Sequence, residues 1–489
     1  MDLAPRNLLS ETLLARGRST PQEVAIASAD RPAMTYGELD DLSARLANVL
    51  VQRYGVTMGD RVAVQLDKSA AIFALNIACS RMGAVYLPLN PSYTDREVVD
   101  VLDDAAPSLL VRQSPLEYPF AVVSLERLLS ESRDASGDFN DVAVQSDTPA
   151  AMLYTSGTTG RPKGVVLSHE NLVVNCRTLN DAWGITSKDV VHHVLPLFHT
   201  HGLFVAGYCA LSSGASMLMA QRFDARAVVR ELSSVTVFMG VPTHYVRMLE
   251  EPALDAVATA SVRLFISGSA PMLRSTHQAF AERTGHQIVE RYGMTETGML
   301  TSNPIDGTAR IGTVGRALAG VSVRIDGPSP GVVEVKGPNV FLGYWRRPEL
   351  RATEFTTDGW FKTGDLGVLD GDGYLEIVGR KKDVIITGGL NVYPKELEVV
   401  IDTFPGVLET AVIGLPDSDF GEVVTAVVVA EPGAHLDEAT LGDLARRSLA
   451  GFKVPKRFIL TAELPRNAMG KVEKARLREL FSRDLDEGR

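Results

Sequence analysis

The sequence predicts an α/β protein in two parts. The first is a large N-terminal domain of helix-covered, mostly parallel sheets with a small β subdomain. The second is a small, mobile α+β C-terminal domain. Three observations predict this. Short apolar runs alternate with longer helical patterns through the first two-thirds of the chain, the signature of a parallel sheet covered by helices. Four of those runs end in polar loops rich in Gly, Ser, Thr and Pro. From about residue 310 the strands turn short and glycine-rich, and a final segment of about a hundred residues then mixes helix and strand.

Taken in order, residues 1–60 read as helical with loops. Thr35-Tyr36-Gly37-Glu38-Leu39 starts a helix with Leu42, Leu46 and Leu50 at fourfold spacing. Arg61 to Leu66 is a strand, Ala70 to Met82 a helix, and Val85 to Leu89 the next strand. Residues 130–147, rich in Ser and Asp, form a surface connection. Ala150 to Leu153 leads into Tyr154-Thr155-Ser156-Gly157-Thr158-Thr159-Gly160-Arg161-Pro162-Lys163-Gly164, and Val165 to His169 leads out, so the order is strand, polar loop, strand. Asn171 onward resumes helix. The four strand-to-loop segments are Val190 to Gly202, with its strand over Val190 to Leu197, then Val235 to Thr243, Arg263 to Pro271 and Ile288 to Thr297. Ligands gather beyond the C-terminal ends of parallel strands, so these four loops point to one composite site. The last segment has a helix from Pro394 to Ile401, strands at 411–413 and 425–429, and then helix again.

Composition narrows the function. With 489 residues the chain exceeds one ordinary domain. A formal net charge of −11 excludes a general nucleic-acid binder, which needs a basic surface, but leaves room for a polyanionic small ligand held by local lysines. Cys79, Cys176 and Cys209 are isolated in apolar surroundings and read as small core residues, with no disulfide or metal pattern. There is no signal-peptide core after Met1 and no apolar run long enough for a membrane span, so a reducing cytoplasm is expected.

The glycine-rich loop carries the strongest chemical signal. Glycines let backbone N–H groups converge on an anion, hydroxyls add donors, and Lys163 adds a point charge suited to phosphate. It is not the common G-x-x-x-x-G-K-[ST] loop, because Pro162 precedes the lysine and a strand, not a helix, follows. A mobile Gly/Ser linker would not close with Pro-Lys-Gly between two hydrophobic strands.

This stretch resembles the signature loop of the adenylate-forming superfamily, which holds acyl-CoA synthetases, adenylation domains of peptide synthetases and luciferases. The resemblance extends over nearly the whole chain. Tyr292-Gly293-Met294-Thr295-Glu296 is similar to the superfamily's nucleotide motif, Lys362-Thr363-Gly364-Asp365 to its T-G-D, and Pro465-Arg466-Asn467-Ala468-Met469-Gly470-Lys471 to its C-terminal catalytic motif.

The resemblance implies two half-reactions. A carboxylate attacks the α-phosphate of ATP and pyrophosphate leaves; a thiol, here that of coenzyme A, then attacks the acyl-adenylate. Lys471 would reach the α-phosphate and the substrate carboxylate, where a positioned cation offsets developing charge. Thr155, Ser156, Gly157, Thr158, Thr159, Gly160 and Lys163 would grip phosphate. Glu296 would help hold Mg²⁺, a hard cation that prefers carboxylate and phosphate oxygen. Tyr292 would stack on adenine. Thr295 would meet the phosphates, Asp365 both ribose hydroxyls, and Arg380 the ribose or phosphates. Ser269, Ala270, Pro271, Glu290, Arg291, Gly293 and Met294 complete the expected nucleotide site. Thr155, Lys163, Glu296 and Lys471 are the expected catalytic set. Lys382 aligns with the hinge, which divides the chain into 1–381 (about 310–381 the β-rich part) and 382–489. Gly388 and Gly389 beside Tyr393, together with His199, would meet the CoA arm.

The acid is indicated by Arg247. It follows Thr243 by four residues, on the same helical face. A buried arginine without a counter-charge is costly, and an anionic substrate tail would supply one with bidentate geometry. Surface pairing with Glu250 or Glu251 is the alternative. The segments Met239 to Arg247, Arg263 to Pro271, Glu290 to Thr297, Leu195 to Leu203 and Asn339 to Trp345 resemble those of malonyl-CoA synthetases. That resemblance implies malonate, and often methylmalonate, in a pocket of His199, Arg247, Ser269 and Met294. Two departures, Ala319 in place of a common proline and a short hairpin at 326–330, lie away from the expected chemistry. The competing expectations are a CoA ligase for another small, medium-chain or aryl acid, adenylation for a carrier protein in trans, and a non-catalytic nucleotide sensor. A regulatory acetyltransferase acting on Lys471 is a further expected partner, because neutralising that charge would stop adenylation.

Overall fold

The computed structural model describes residues 6–28, 31–155, 162–388, 390–417, 420–467 and 470–486. Among them four sheets form. The largest runs, by strand, 316–317, 298–302, 288–294, 264–267, 237–240, 190–193, 216–219, 24–28 and 31–35. Its middle strands, 24–28 to 288–294, are parallel, and antiparallel strands close both ends. The second sheet orders 343–344, 163–168, 149–155, 85–88, 61–65, 109–112 and 121–123, again parallel in the middle. Helices cover these sheets, and one apolar core containing Phe73, Trp183, Tyr208 and Phe238 joins the two.

The helices begin where local chemistry directs. Thr35 accepts from the Glu38 N–H while the Glu38 carboxylate accepts from the Thr35 N–H, and Gly55 in the left-handed region ends the helix Tyr36–Tyr54. Ser168 and Asn171 make the same reciprocal pair at the start of His169–Trp183, two residues earlier than the sequence suggests. The parallel strands are buried on both faces, which is why each reads as a plain apolar run.

A four-stranded antiparallel sheet (322–326, 331–336, 361–369, 375–380) forms the expected β-rich part. The last sheet comprises 390–392, 385–387, 421–430 and 407–417, with 457–461 parallel to 421–430. It has a core on each face: Leu397, Ile401, Val412 and Leu441 on one, Ile413, Leu415, Val427 and Leu477 on the other. The C-terminal part therefore packs around its own sheet.

Two expectations need correction. Residues 1–60 are not helix and loop alone: Val24–Ser28 and Arg31–Thr35 are strands, the first paired with Met217 and Leu218 nearly two hundred residues away. The strand expected over Val190 to Leu197 ends at His193. The chain then loops and enters a wide helical turn, His201–Gly207. Gly202 permits this, since a Cβ there would stand 2.0 Å from the Pro196 carbonyl oxygen. Among the described residues no helix is long and apolar enough to cross a membrane.

Candidate active site

Strands 190–193, 237–240, 264–267 and 288–294 are neighbours in one parallel sheet, so the four polar loops leave the same edge, as expected. Beneath these loops lie charged groups that support rather than face the cleft. Arg291 is buried, with its Nε and Nη2 lacking partners; burial lowers its pKa to about 10. It lies flat under Gly268, where a Cβ would come within 2.4 Å of its guanidinium carbon. Glu290 is buried too. It accepts from the Met272 N–H at 3.3 Å and contacts His277 Nε2 at 3.0 Å, which fixes the turn after Pro271. Ser269 holds a φ of +71° and meets His201 Nδ1 at 3.2 Å. Met294 is half-buried at the end of its strand, and Gly293 has no room for a side chain, because a Cβ would meet the Gly298 carbonyl oxygen at 2.1 Å.

The expected ribose and adenine residues converge from three segments. The Tyr292 hydroxyl donates to Asp365 Oδ2 at 2.5 Å, and Arg380 Nε pairs with Asp365 Oδ1 at 2.6 Å. Strands 361–369 and 375–380 bring the last two together, with Asp365 opposite Arg380 in register. The Thr363 hydroxyl donates to the Val333 carbonyl at 2.8 Å and accepts from the Asp365 N–H at 3.1 Å, which holds the turn.

At the base of the glycine-rich loop, Thr155 and Lys163 face each other across an antiparallel pair. Ser156, Gly157, Thr158, Thr159 and Gly160 lie outside the described residues. Lys163 Nζ stands 3.4 Å from Glu354 and 4.9 Å above the Tyr344 ring. The Tyr344 hydroxyl donates to Glu296 Oε1 at 3.0 Å. Glu296 is buried, and burial raises its pKa above the ordinary carboxylate value. A carboxylate so placed suits a cation shared with substrate phosphates; among the described residues no cluster of three or more His, Cys, Asp or Glu forms a metal site by itself. Tyr344 and Glu354 have no role in the sequence reading. Tyr344 arrives through the pairing of Gly343–Tyr344 with Val165–Val166, which no local pattern encodes.

Lys471 approaches from the small domain. It lies within electrostatic reach of Arg380, Asp365, Asp383 and Lys382. Part of it remains open to solvent, yet the atoms crowded round its ammonium, and then the Arg380 charge, lower its pKa. The preceding Gly470 packs against Thr243, where a Cβ would meet Oγ1 at 3.0 Å. Lys382 is exposed in the short turn Lys381–Asp383, and Asp383 pairs with Arg478 at 2.9 Å.

The acid and CoA residues are less completely assembled. His199 is half-buried, and burial lowers its pKa to about 4, so it is neutral at pH 7. Arg247 corrects an expectation: its side chain is exposed, not buried, on the helix Pro242–Leu249. Among the described residues it makes no ion pair, with Glu250 and Glu251 included. Its charge reaches His244, which stacks on Phe223 with ring centroids 3.9 Å apart. Gly388 sits at an exposed turn with φ +55°, donating to the Phe420 carbonyl at 2.9 Å, and Tyr393 precedes the helix Pro394–Ile401. Gly389 lies outside the described residues. Beside Pro196, Leu197 and Phe198 opens a cavity of about 940 Å³ that sequence reading gave no hint of, with Lys68, Gln113 and Arg222 in its wall. Lys68 is buried and donates to the His193 carbonyl at 2.7 Å.

Comparison with known proteins shows the family and the fold. Residues 13–345 match the family described as AMP-binding enzyme, and residues 396–471 match the AMP-binding enzyme C-terminal domain. The chain is 34% identical to a malonate–CoA ligase of Arabidopsis thaliana, over 92% of this chain and 85% of that protein. It is 37% identical to a feruloyl-CoA synthase of Amycolatopsis, over 95% and 97%. The ATP-bound crystal structure of MatB from Rhodopseudomonas palustris superposes with a TM-score of 0.92 at 46% identity, over 96% of this chain and 99% of that one. The chain has the adenylate-forming fold and belongs to the AMP-binding enzyme family, as an AMP-forming acyl-CoA ligase.

Proposed function

We propose that the chain ligates malonate to coenzyme A through malonyl-adenylate, releasing AMP and pyrophosphate. The observation that carries the reading is the setting of Lys471. Its ammonium is in reach of the Asp365–Arg380 pair, while the adjoining Gly470 touches Thr243 on the helix that bears Arg247. A cation between a nucleotide cluster and an acid pocket is where a carboxylate meets an α-phosphate.

In this reading Tyr292, Asp365 and Arg380 hold the nucleoside, and Thr155 and Lys163 hold the β- and γ-phosphates that depart. Lys471 offsets charge on the reacting oxygens. Glu296 would hold Mg²⁺, which would neutralise phosphate charge. Arg247, an exposed guanidinium without an ion pair among the described residues, receives the second carboxylate of malonate in its planar fork. The domains divide at Lys382, and His199, neutral at pH 7, borders the path of the thiol. The cavity of about 940 Å³ beside Phe198 is where a pantetheine arm would enter.

A panel of acids assayed with ATP and CoA tests the substrate. Malonate, then methylmalonate, should be turned over fastest; faster turnover of ferulate, acetate or octanoate would refute the dicarboxylate reading. Arg247→Ala should raise the KM for malonate about 30-fold, the range of a lost charged hydrogen-bond pair, and leave the KM for ATP unchanged. An unchanged malonate KM would remove Arg247 from the pocket.

A further inference from the structure

The segment that carries Lys471 is held by backbone and side-chain hydrogen bonds and by one ion pair. Arg466 bridges to Val472. The Asn467 N–H donates to the Lys471 carbonyl at 2.9 Å, the Gly470 N–H to the Asn467 carbonyl at 2.8 Å, and the Glu473 N–H to the Pro465 carbonyl at 2.9 Å. The Lys471 N–H donates to Asn467 Oδ1 at 3.0 Å. Gly470, with φ +73°, makes the turn.

One side chain spans the hairpin. Arg466 Nη1 donates to the Gly470 carbonyl at 2.6 Å, and its Nη2 pairs with Glu409. Glu409 stands on the strand Val407–Asp417, which pairs along its length with Gly421–Ala430 in the small domain's sheet, Glu409 opposite Val429. A continuous polar chain therefore runs from a packed sheet, through Glu409 and Arg466, to the carbonyl next to Lys471.

We propose that Arg466 and Glu409 are positioning residues for the adenylation step. Glu409 orients Arg466, and Arg466 fixes the Gly470 carbonyl and so the backbone from which Lys471 reaches the reacting oxygens. The proposal rests on the reading of Lys471 given above. A lysine is a point charge on a flexible four-carbon stem, so its aim depends on the stiffness of its backbone. Arginine suits the linking role, because its rigid fork satisfies two acceptors at fixed angles. Both partners are partly exposed, with 31% and 25% of their side-chain surface open. A pair so screened adds little to folding stability, so its loss should appear in rate.

The test separates the half-reactions in the full chain, using the acid that the panel ranks first. Pyrophosphate release reports adenylation, and CoA thioester formation from supplied acyl-adenylate reports the second step. Arg466→Ala should lower kcat for pyrophosphate release about 30-fold with the KM for ATP within about twofold, the scale of a misplaced catalytic group. Arg466→Lys should recover part of the loss. Glu409→Ala should fall between, and Arg466→Ala with Glu409→Ala together should be no slower than Arg466→Ala alone. Thioester formation should stay unchanged in all four, which also shows that they fold. Equal slowing of both steps, or losses that sum in the double variant, would overturn the proposal. Lys471→Ala serves as a separate control. If it abolishes pyrophosphate release while Arg466→Ala leaves release intact, positioning is wrong and the reading of Lys471 stands. If Lys471→Ala leaves release intact, that reading falls and takes the positioning with it.

Discussion

The large and small domains hold their polar groups in opposite ways. In the large domain, Arg291, Glu290 and His201 are buried beneath strand-end loops, and Tyr292, Asp365 and Arg380 close a hydrogen-bonded triad on sheet residues. In the small domain, Lys471 stands on a hairpin at the surface, held by turn hydrogen bonds and one ion pair. On the proposed reading, the large domain is a preformed mould for the nucleotide, whereas the small one delivers a single cation. Lys471 then acts in the first half-reaction only, and its aim is set by a surface hairpin and one ion pair rather than by a buried network.

Removing the delivered charge should show the contrast most strongly. Lys471→Ala should slow pyrophosphate release about 1,000-fold, as the loss of a positioned electrostatic group does, while thioester formation from supplied acyl-adenylate keeps its rate. Equal loss in both steps would mean that the small domain works through the mould instead. A smaller effect follows from Gly470→Ala. The residue has φ +73°, and a Cβ would press on Thr243, so adenylation alone should fall about tenfold through strain and displacement. Both half-reactions measured on one sample would show whether the contact matters only in the first.

The mildest distinction is in pH. In the large domain burial lowers His169 and His199 to about 4 and His244 to about 3. These rings stay neutral in the fold but take a proton near the ordinary value of 6.5 when unfolded. Their contribution to stability is therefore complete above that value and is lost as pH falls toward 4. In the small domain burial raises Asp402 to about 7 against an ordinary 3.8, with Lys395 partly opposing. Its contribution is complete below 3.8 and is lost as pH rises through about 7. Thermal melts should show the large domain weakening in acid, and Asp402→Asn should raise the small domain's Tm at pH 8 but not at pH 4. A variant that melts identically at both would place Asp402 in solvent.

Much of this contrast was legible in the residues. Strands buried on both faces write themselves as apolar runs, and the loops that follow carry the Gly, Ser and Thr that ligands need. Gly293 stands where backbone approaches too closely for a side chain, and Gly470 where the chain takes a φ of +73°. Partners brought from afar were not legible. Val24–Ser28 is a strand because Met217 and Leu218 lie beside it, and Tyr344 reaches Glu296 through a two-residue pairing. Arg466 resembles any surface cation until the fold sets Glu409 beside it. Arg247 misled in the other direction, since spacing gave the right helix face for Thr243 but not the depth at which the arginine would lie.

The four site loops spring from adjacent strands of one parallel sheet, roughly 4.8 Å apart. A pocket assembled this way has independent walls. Replacing one loop leaves the ladder of hydrogen bonds under the others intact, so the cleft can be re-cut for a new guest without re-founding the domain. Relatives of comparable likeness whose names carry malonate and feruloyl are what such modular walls allow. In this chain, altering the specificity should therefore be a matter of exchanging fringes while the weave stays as it is.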